Sequence, residues 1–318
     1  MSLPNPIRTL VTLMRRELWE SPVAFKWTPL GIALVTILLT LLALAVGARV
    51  DNQFASLGDN LRVLTETDPD TLSLFVSGAL ISVSSLFFQI MLLVICFYLA
   101  GSLFDDRKDR SILFWKSLPV SDGMTVASKL ATACLLIPLM FLLAIMLTHL
   151  ALLLIASGVT LVAGVNPITS LWLPASLPYV WTLIAAGLLV QALWLMPLYA
   201  WLLFCSSWAP RLPILIAIAI PAGIALIQHS WSLFSSFNLP SFNVGLILLK
   251  RLGSSMLPMS TNLQFEDDHN PLTSGEPLMQ FSNLGHYLVS AELWIGIVAA
   301  IPLLLAAIWF RRRATDQV

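Results

Sequence analysis

A chain of 318 residues that is 58% hydrophobic and only 11% charged lies far from the roughly one-quarter charged composition of a soluble domain. Its 17 basic residues balance 17 acidic ones, so bulk electrostatics exclude a polyanion binder and no nucleic-acid partner is expected. Cys96, Cys134 and Cys205 all sit inside apolar runs with no paired spacing, which argues against a disulfide framework or a zinc site.

At the N-terminus, Ile7, Leu10, Val11, Met14 and Leu18 recur at helical spacing, with Arg8, Thr12, Arg15 and Glu20 on other faces. Residues 1–26 are therefore predicted to form an amphipathic helix on the membrane interface, where Arg15 and Arg16 suit anionic lipid headgroups. The first apolar run, Trp27 to Ala48, is 22 residues long and ends in Gly47-Ala48-Arg49, a poor cleavage site. It reads as a retained span, not a removed signal. Thr71 to Phe104 has no Asp, Glu, Lys or Arg and holds a second span. Within it Gly78, Ser82, Ser85 and Gln89 fall at i, i+4, i+7 and i+11. Such a small, polar stripe is expected to face protein or a substrate path and not lipid.

The charges reappear together. Phe104-Asp-Asp-Arg-Lys-Asp-Arg110 is followed by Ser111-Ile-Leu-Phe-Trp-Lys-Ser-Leu-Pro-Val-Ser121. The sequence predicts that the second span runs on into water, that Ser111 to Ser117 forms a short helix ended by Pro119, and that Ser121 or Asp122 caps the third span. Phe114 and Trp115 are costly to leave in water. They either rest on the membrane interface or anchor a soluble partner, because aromatics flanked by charge have the composition of a docking hot spot.

Leu130 to Pro210 is 81 residues without a formal charge. As one helix it would reach about 120 Å, several times a hydrocarbon core of about 30 Å, so it must fold back. Gly158, Gly164, Asn166-Pro167, Pro174 and Pro178 mark the expected turn. His149, Gln191 and Gln228 are isolated polar groups expected to act as interhelical glue. Span five is rich in small residues such as Ala217, Ala222 and Gly223, and is expected to pack closely against a second copy of the chain. Phe242 to Leu252 is apolar but too short to span, which suggests a re-entrant or surface-lying helix. Glu266, Asp267, Asp268 and His269 read as a solvated acidic turn, so no metal is expected.

The predicted architecture is an all-α integral membrane protein with six transmembrane helices, at about 27–48, 74–103, 125–157, 179–205, 212–229 and 288–310. These form a single domain over 27–310, with a loop at 104–124, a large outer loop at 230–287 and a tail at 311–318. Thirteen of the 17 basic residues then fall on one face, and only Arg49, Arg62, Lys250 and Arg251 on the other. The positive-inside rule puts both termini in the cytoplasm of a multi-pass inner-membrane protein.

With that layout, Asp109, Arg110, Leu118, Pro119, Ser121 and a Lys129 opening the third span resemble the permease subunits of ABC exporters of the second export class. The resemblance implies that the loop is a coupling helix seated in a cleft of a separate ATPase subunit, with Phe114, Trp115 and Lys116 among its contacts. Phe114-Trp115 is bulkier than the small residues the family pattern carries there. The resemblance further implies a homodimeric permease, ATP and magnesium held by the partner subunit, and no cofactor or catalytic residue on this chain. The sequence agrees on one point: it has no Gly-Lys dipeptide, hence no phosphate-binding loop of its own. Uncharged span faces favour a hydrophobic or amphiphilic substrate. A secondary transporter or channel, or a membrane scaffold without transport activity, is the alternative, although ion-coupled carriers usually hold ionisable groups within their spans.

Overall fold

Helix is the only regular structure among the described residues, as backbone kept from water requires. The computed structural model describes residues 6–47, 62–108, 120–234, 244–256 and 280–314. In chain order the helices are α1 (Pro6–Glu20), α2 (Val23–Gly47), α3 (Pro69–Lys108), α4 (Asp122–Val162), α5 (Ile168–Trp194), α6 (Met196–Trp208), α7 (Pro213–Phe234), α8 (Val244–Met256), α9 (Phe281–Val289) and α10 (Ala291–Arg313). Five of them, α2, α3, α4, α5 and α10, are long and apolar enough to cross a membrane, and α7 adds a shorter apolar stretch, Pro213–Gln228. The chain is a helical protein built for multiple membrane passages.

Several boundaries differ from the predicted ones, each for a local reason. α3 runs for 40 residues and α4 for 41, beyond the apolar runs that announce them, because their charged ends continue the same helices. The expected fourth span, 179–205, begins earlier, at Ile168, and is divided. α5 stops at Trp194 and α6 starts at Met196, since Pro197 lacks an N–H and its ring opposes the carbonyl of Leu193. A π-helical turn at Thr132–Leu136 comes just before Pro138, where a wider turn absorbs the missing donor. Two more, at Val23–Trp27 and Ile168–Trp172, follow Pro22 and Pro167, which start their helices where no N–H is needed. The α4–α5 turn covers residues 163–167. Gly164 takes a φ of 72° there, and the Arg62 guanidinium donates to Ala163 O at 3.2 Å and Gly164 O at 2.8 Å. The chain leaves the right-handed helix again at Ser176, where φ is 43°, between Pro174 and Pro178.

α3 is the axis of the packing. Its Phe87, Phe88, Ile95 and Leu99 are fully buried among Phe141 of α4, Leu183 and Ile184 of α5, and Tyr199 of α6. α6 lies along both α3 and α10, α2 along α4, and α1 against the first turns of α4. Between helices in lipid, such contacts act through close packing more than through expulsion of water. Asp68 caps α3, accepting from Thr71 N at 3.0 Å and Thr71 Oγ1 at 2.6 Å. The side-chain hydrogen bond from Thr71, then the backbone one, holds this carboxyl below its usual range. The cap's contribution is therefore present above the ordinary carboxylate range and is lost as acid protonates Asp68.

One polar network joins three helices inside this packing. Trp181 Nε1 donates to His149 Nδ1 at 3.3 Å. An indole can only donate, so Nδ1 accepts and the ring proton sits on Nε2. Nε2 faces Leu80 O and Ser84 Oγ, both at 3.0 Å, while Ser84 donates its own proton to Leu80 O at 2.9 Å. The expected role of His149 as interhelical glue is what this geometry describes. His149→Leu strands the Trp181 donor and should cost about 1–3 kcal/mol, read as a lower thermal midpoint of the detergent-purified protein. An unchanged midpoint would show that the network contributes nothing.

Candidate functional site

Among the described residues, the buried Glu17, Asp106, Lys129 and Arg311 gather where α3 ends and α4 begins, on either side of the predicted docking loop. Asp109, Arg110, Phe114, Trp115, Lys116, Leu118 and Pro119 lie outside the described residues. Ser121 is described and caps α4 as expected, its Oγ accepting from Met124 N at 3.1 Å. Both stems of the loop are held by buried charge.

On one side α1 is fastened to α4. Glu17 and Lys129 pair at 2.9 Å with side chains only 4% exposed each, and Tyr98 of α3 donates to the same carboxylate at 2.9 Å. The signal for Glu17 was available, since it falls at i+7 from Leu10 on the apolar face of α1, where an acid is out of place unless paired. That face turns to the protein at Leu13 and Glu17 and leaves Ile7, Val11 and Trp19 exposed. An open, mostly apolar recess of about 450 Å³ follows, lined by Glu20, Pro22, Val23, Leu93 and Phe97.

On the other side one cation serves both stems. Arg311, on the last turn of α10, is 3.0 Å from Asp106 of α3 and 3.3 Å from Asp122 of α4. Its place on the buried face was also legible, at i+4 from Ala307 and i+11 from Ala300, both buried. Arg107 closes the end of α6 by donating to Ser206 O at 2.9 Å and Ala209 O at 2.8 Å. Ser206 Oγ in turn accepts from Leu103 N and Phe104 N, both at 3.0 Å.

The predicted stripe faces out of the single chain's packing. Ser82 and Gln89 are exposed and Gly78 and Ser85 half-buried, and the two serines bond back to Gly78 O and Ser82 O of their own helix. The stripe thus lies on the outward side of α3, away from the core face of Ser84, Phe87 and Phe88.

A cation missed by sequence sits within the packing. Arg251 of α8, assigned above to the outer loop, donates to Trp194 O at 2.7 Å and Glu292 O at 2.5 Å, with its guanidinium 4.6 Å from the Trp194 ring. It stands at the α5–α6 break, and a Cβ on Gly296 would lie 2.7 Å from its nitrogens. No grouping of three potential metal ligands occurs among the described residues, and Glu266 to His269 lie outside them. Comparison with protein families, curated proteins and solved structures returns no match for this chain.

Lys129→Met leaves the Glu17 carboxylate buried without its cation, and should cost about 3–5 kcal/mol. Glu17→Gln added to it should recover most of the loss, which thermal unfolding of the single and double variants measures. A double variant no better than the single one would contradict the pairing.

Proposed function

We propose that this chain is the transmembrane subunit of an ATP-binding-cassette exporter, which moves a hydrophobic or amphiphilic substrate with ATP hydrolysed by a separate subunit. The observation that carries the reading is the construction around the loop. A motif-bearing segment, 109–119, is flanked by stems that buried ion pairs fix to the first helix and the last. A loop meant only to connect two spans has no need of such anchorage. A loop that receives a push from a partner does, because force applied there reaches α1 through Glu17 and α10 through Arg311.

In this reading α7 completes six spans, both termini and the loop face the cytoplasm of the inner membrane, and α1 lies on the interface. The exposure of Ile7, Val11 and Trp19 supports that position, as does Arg15 over the Trp19 ring at 5.0 Å, a pairing of aromatic and cation common at headgroup depth. The exposed stripe on α3 and the small residues Ala219 and Ala222 exposed on α7 suit close approach of a second permease copy.

Two measurements test the proposal. Trp115→Ala with Arg110→Glu should leave a folded protein, since neither residue lies in a span, yet reduce association with the ATPase subunit by about 2 kcal/mol or more, as for a buried aromatic anchor. Full co-purification of the ATPase with this variant removes the loop's assigned role. For orientation, a cysteine at Glu66 should react with an impermeant thiol reagent on intact cells and one at Thr315 should not. The reverse pattern inverts the topology.

A further inference from the structure

We propose that Arg311 is a positioning residue for the coupling loop, holding one stem permanently and the other releasably; this rests on the exporter reading above. The two arms of the clamp are unlike. Toward Asp106, Nη1 makes a hydrogen bond of 3.0 Å between side chains that are 2% and 8% exposed. Toward Asp122 the guanidinium Nε comes within 3.3 Å but makes no hydrogen bond, and Asp122 is 21% exposed. The wetter carboxylate, without a hydrogen bond to the cation, is held less firmly.

Asp122 also depends less on the cation. It is the first residue of α4, where the unpaired N–H groups and dipole of the helix favour a carboxylate. Asp106 sits near the end of α3, where the dipole opposes one. Breaking the Asp106 arm would undo a hydrogen bond between two buried side chains, and breaking the Asp122 arm would not. The neighbouring contact permits a slide: Gly123 presents no side chain to α10, and Ile308 Cδ1 lies 3.9 Å from where its Cβ would be. Load on the loop therefore moves the start of α4 along α10, with Arg311 staying on Asp106.

The complex purified with its ATPase subunit tests this through a Gly123→Cys, Ile308→Cys pair and a short bifunctional thiol reagent. Cross-linking should be efficient without nucleotide and fall severalfold with Mg-ATP and vanadate. Asp122→Asn in that background should lower the nucleotide-free yield to the same level while leaving the thermal midpoint in place. Asp106→Asn should lower the midpoint instead. A yield indifferent to nucleotide, or an Asp122→Asn variant that cross-links like the parent, overturns the releasable arm while the co-purified ATPase leaves the exporter reading standing. If no ATPase co-purifies, the exporter reading falls and this role of Arg311 falls with it.

Discussion

Charge that cannot reach water is the constraint on which the loop end of this protein depends. In a chain with so few charged residues, Glu17, Lys129, Asp106 and Arg311 are all buried, and each faces a partner on another helix. A buried pair contributes little net stability compared with apolar side chains of the same volume. What it contributes here is position, because losing either partner is costly and the helices that carry them are bound to one register. α1 would otherwise be a surface helix held by modest apolar contact. With Glu17 on Lys129 and Tyr98, it is part of the bundle.

The same constraint governs the backbone. Prolines 138 and 197 each remove a donor from a helical run, and the structure answers each locally. A wide turn accommodates Pro138. At Pro197 the chain breaks, and Arg251 is brought from a distant segment to the Trp194 carbonyl. Arg62 does the same for the carbonyls of the α4–α5 turn. Two of the four basic residues that charge counting assigns to the outer face are thus occupied with helix ends, through planar donors that a lysine could not replace.

What sequence could reveal follows from the range over which it acts. Charge-free runs marked the long helices, and Ser121 was legible as a cap because capping is a matter of three residues. The break at Leu195 was hidden inside an uncharged run, where a single proline says less than a cluster does. The pairings of Glu17 with Lys129 and of Arg311 with Asp106 join residues 112 and 205 positions apart, and no local pattern encodes such a partner. Only the misfit of an acid or an arginine on an otherwise apolar helix face betrays that one exists. The stripe on α3 was visible as a stripe, but which way it faced depended on packing at Ser84, Phe87 and Phe88.

Helix length raises a further consequence. α3 and α4, at 40 and 41 residues, extend about 60 Å each, twice a hydrocarbon core of about 30 Å. Tilt alone would need about 60° to absorb that, outside the range of 0–40° found for membrane helices. Part of each helix must therefore stand in water. The loop end accounts for some of it, since Lys129 lies two turns from the start of α4 and Asp106 closer still to the end of α3. At the opposite end stand Arg62, on the α4–α5 turn, and Asp68, capping α3. Leu72, Val76 and Leu80 pack there against Leu153, Ala175 and Leu177 as a second, smaller core.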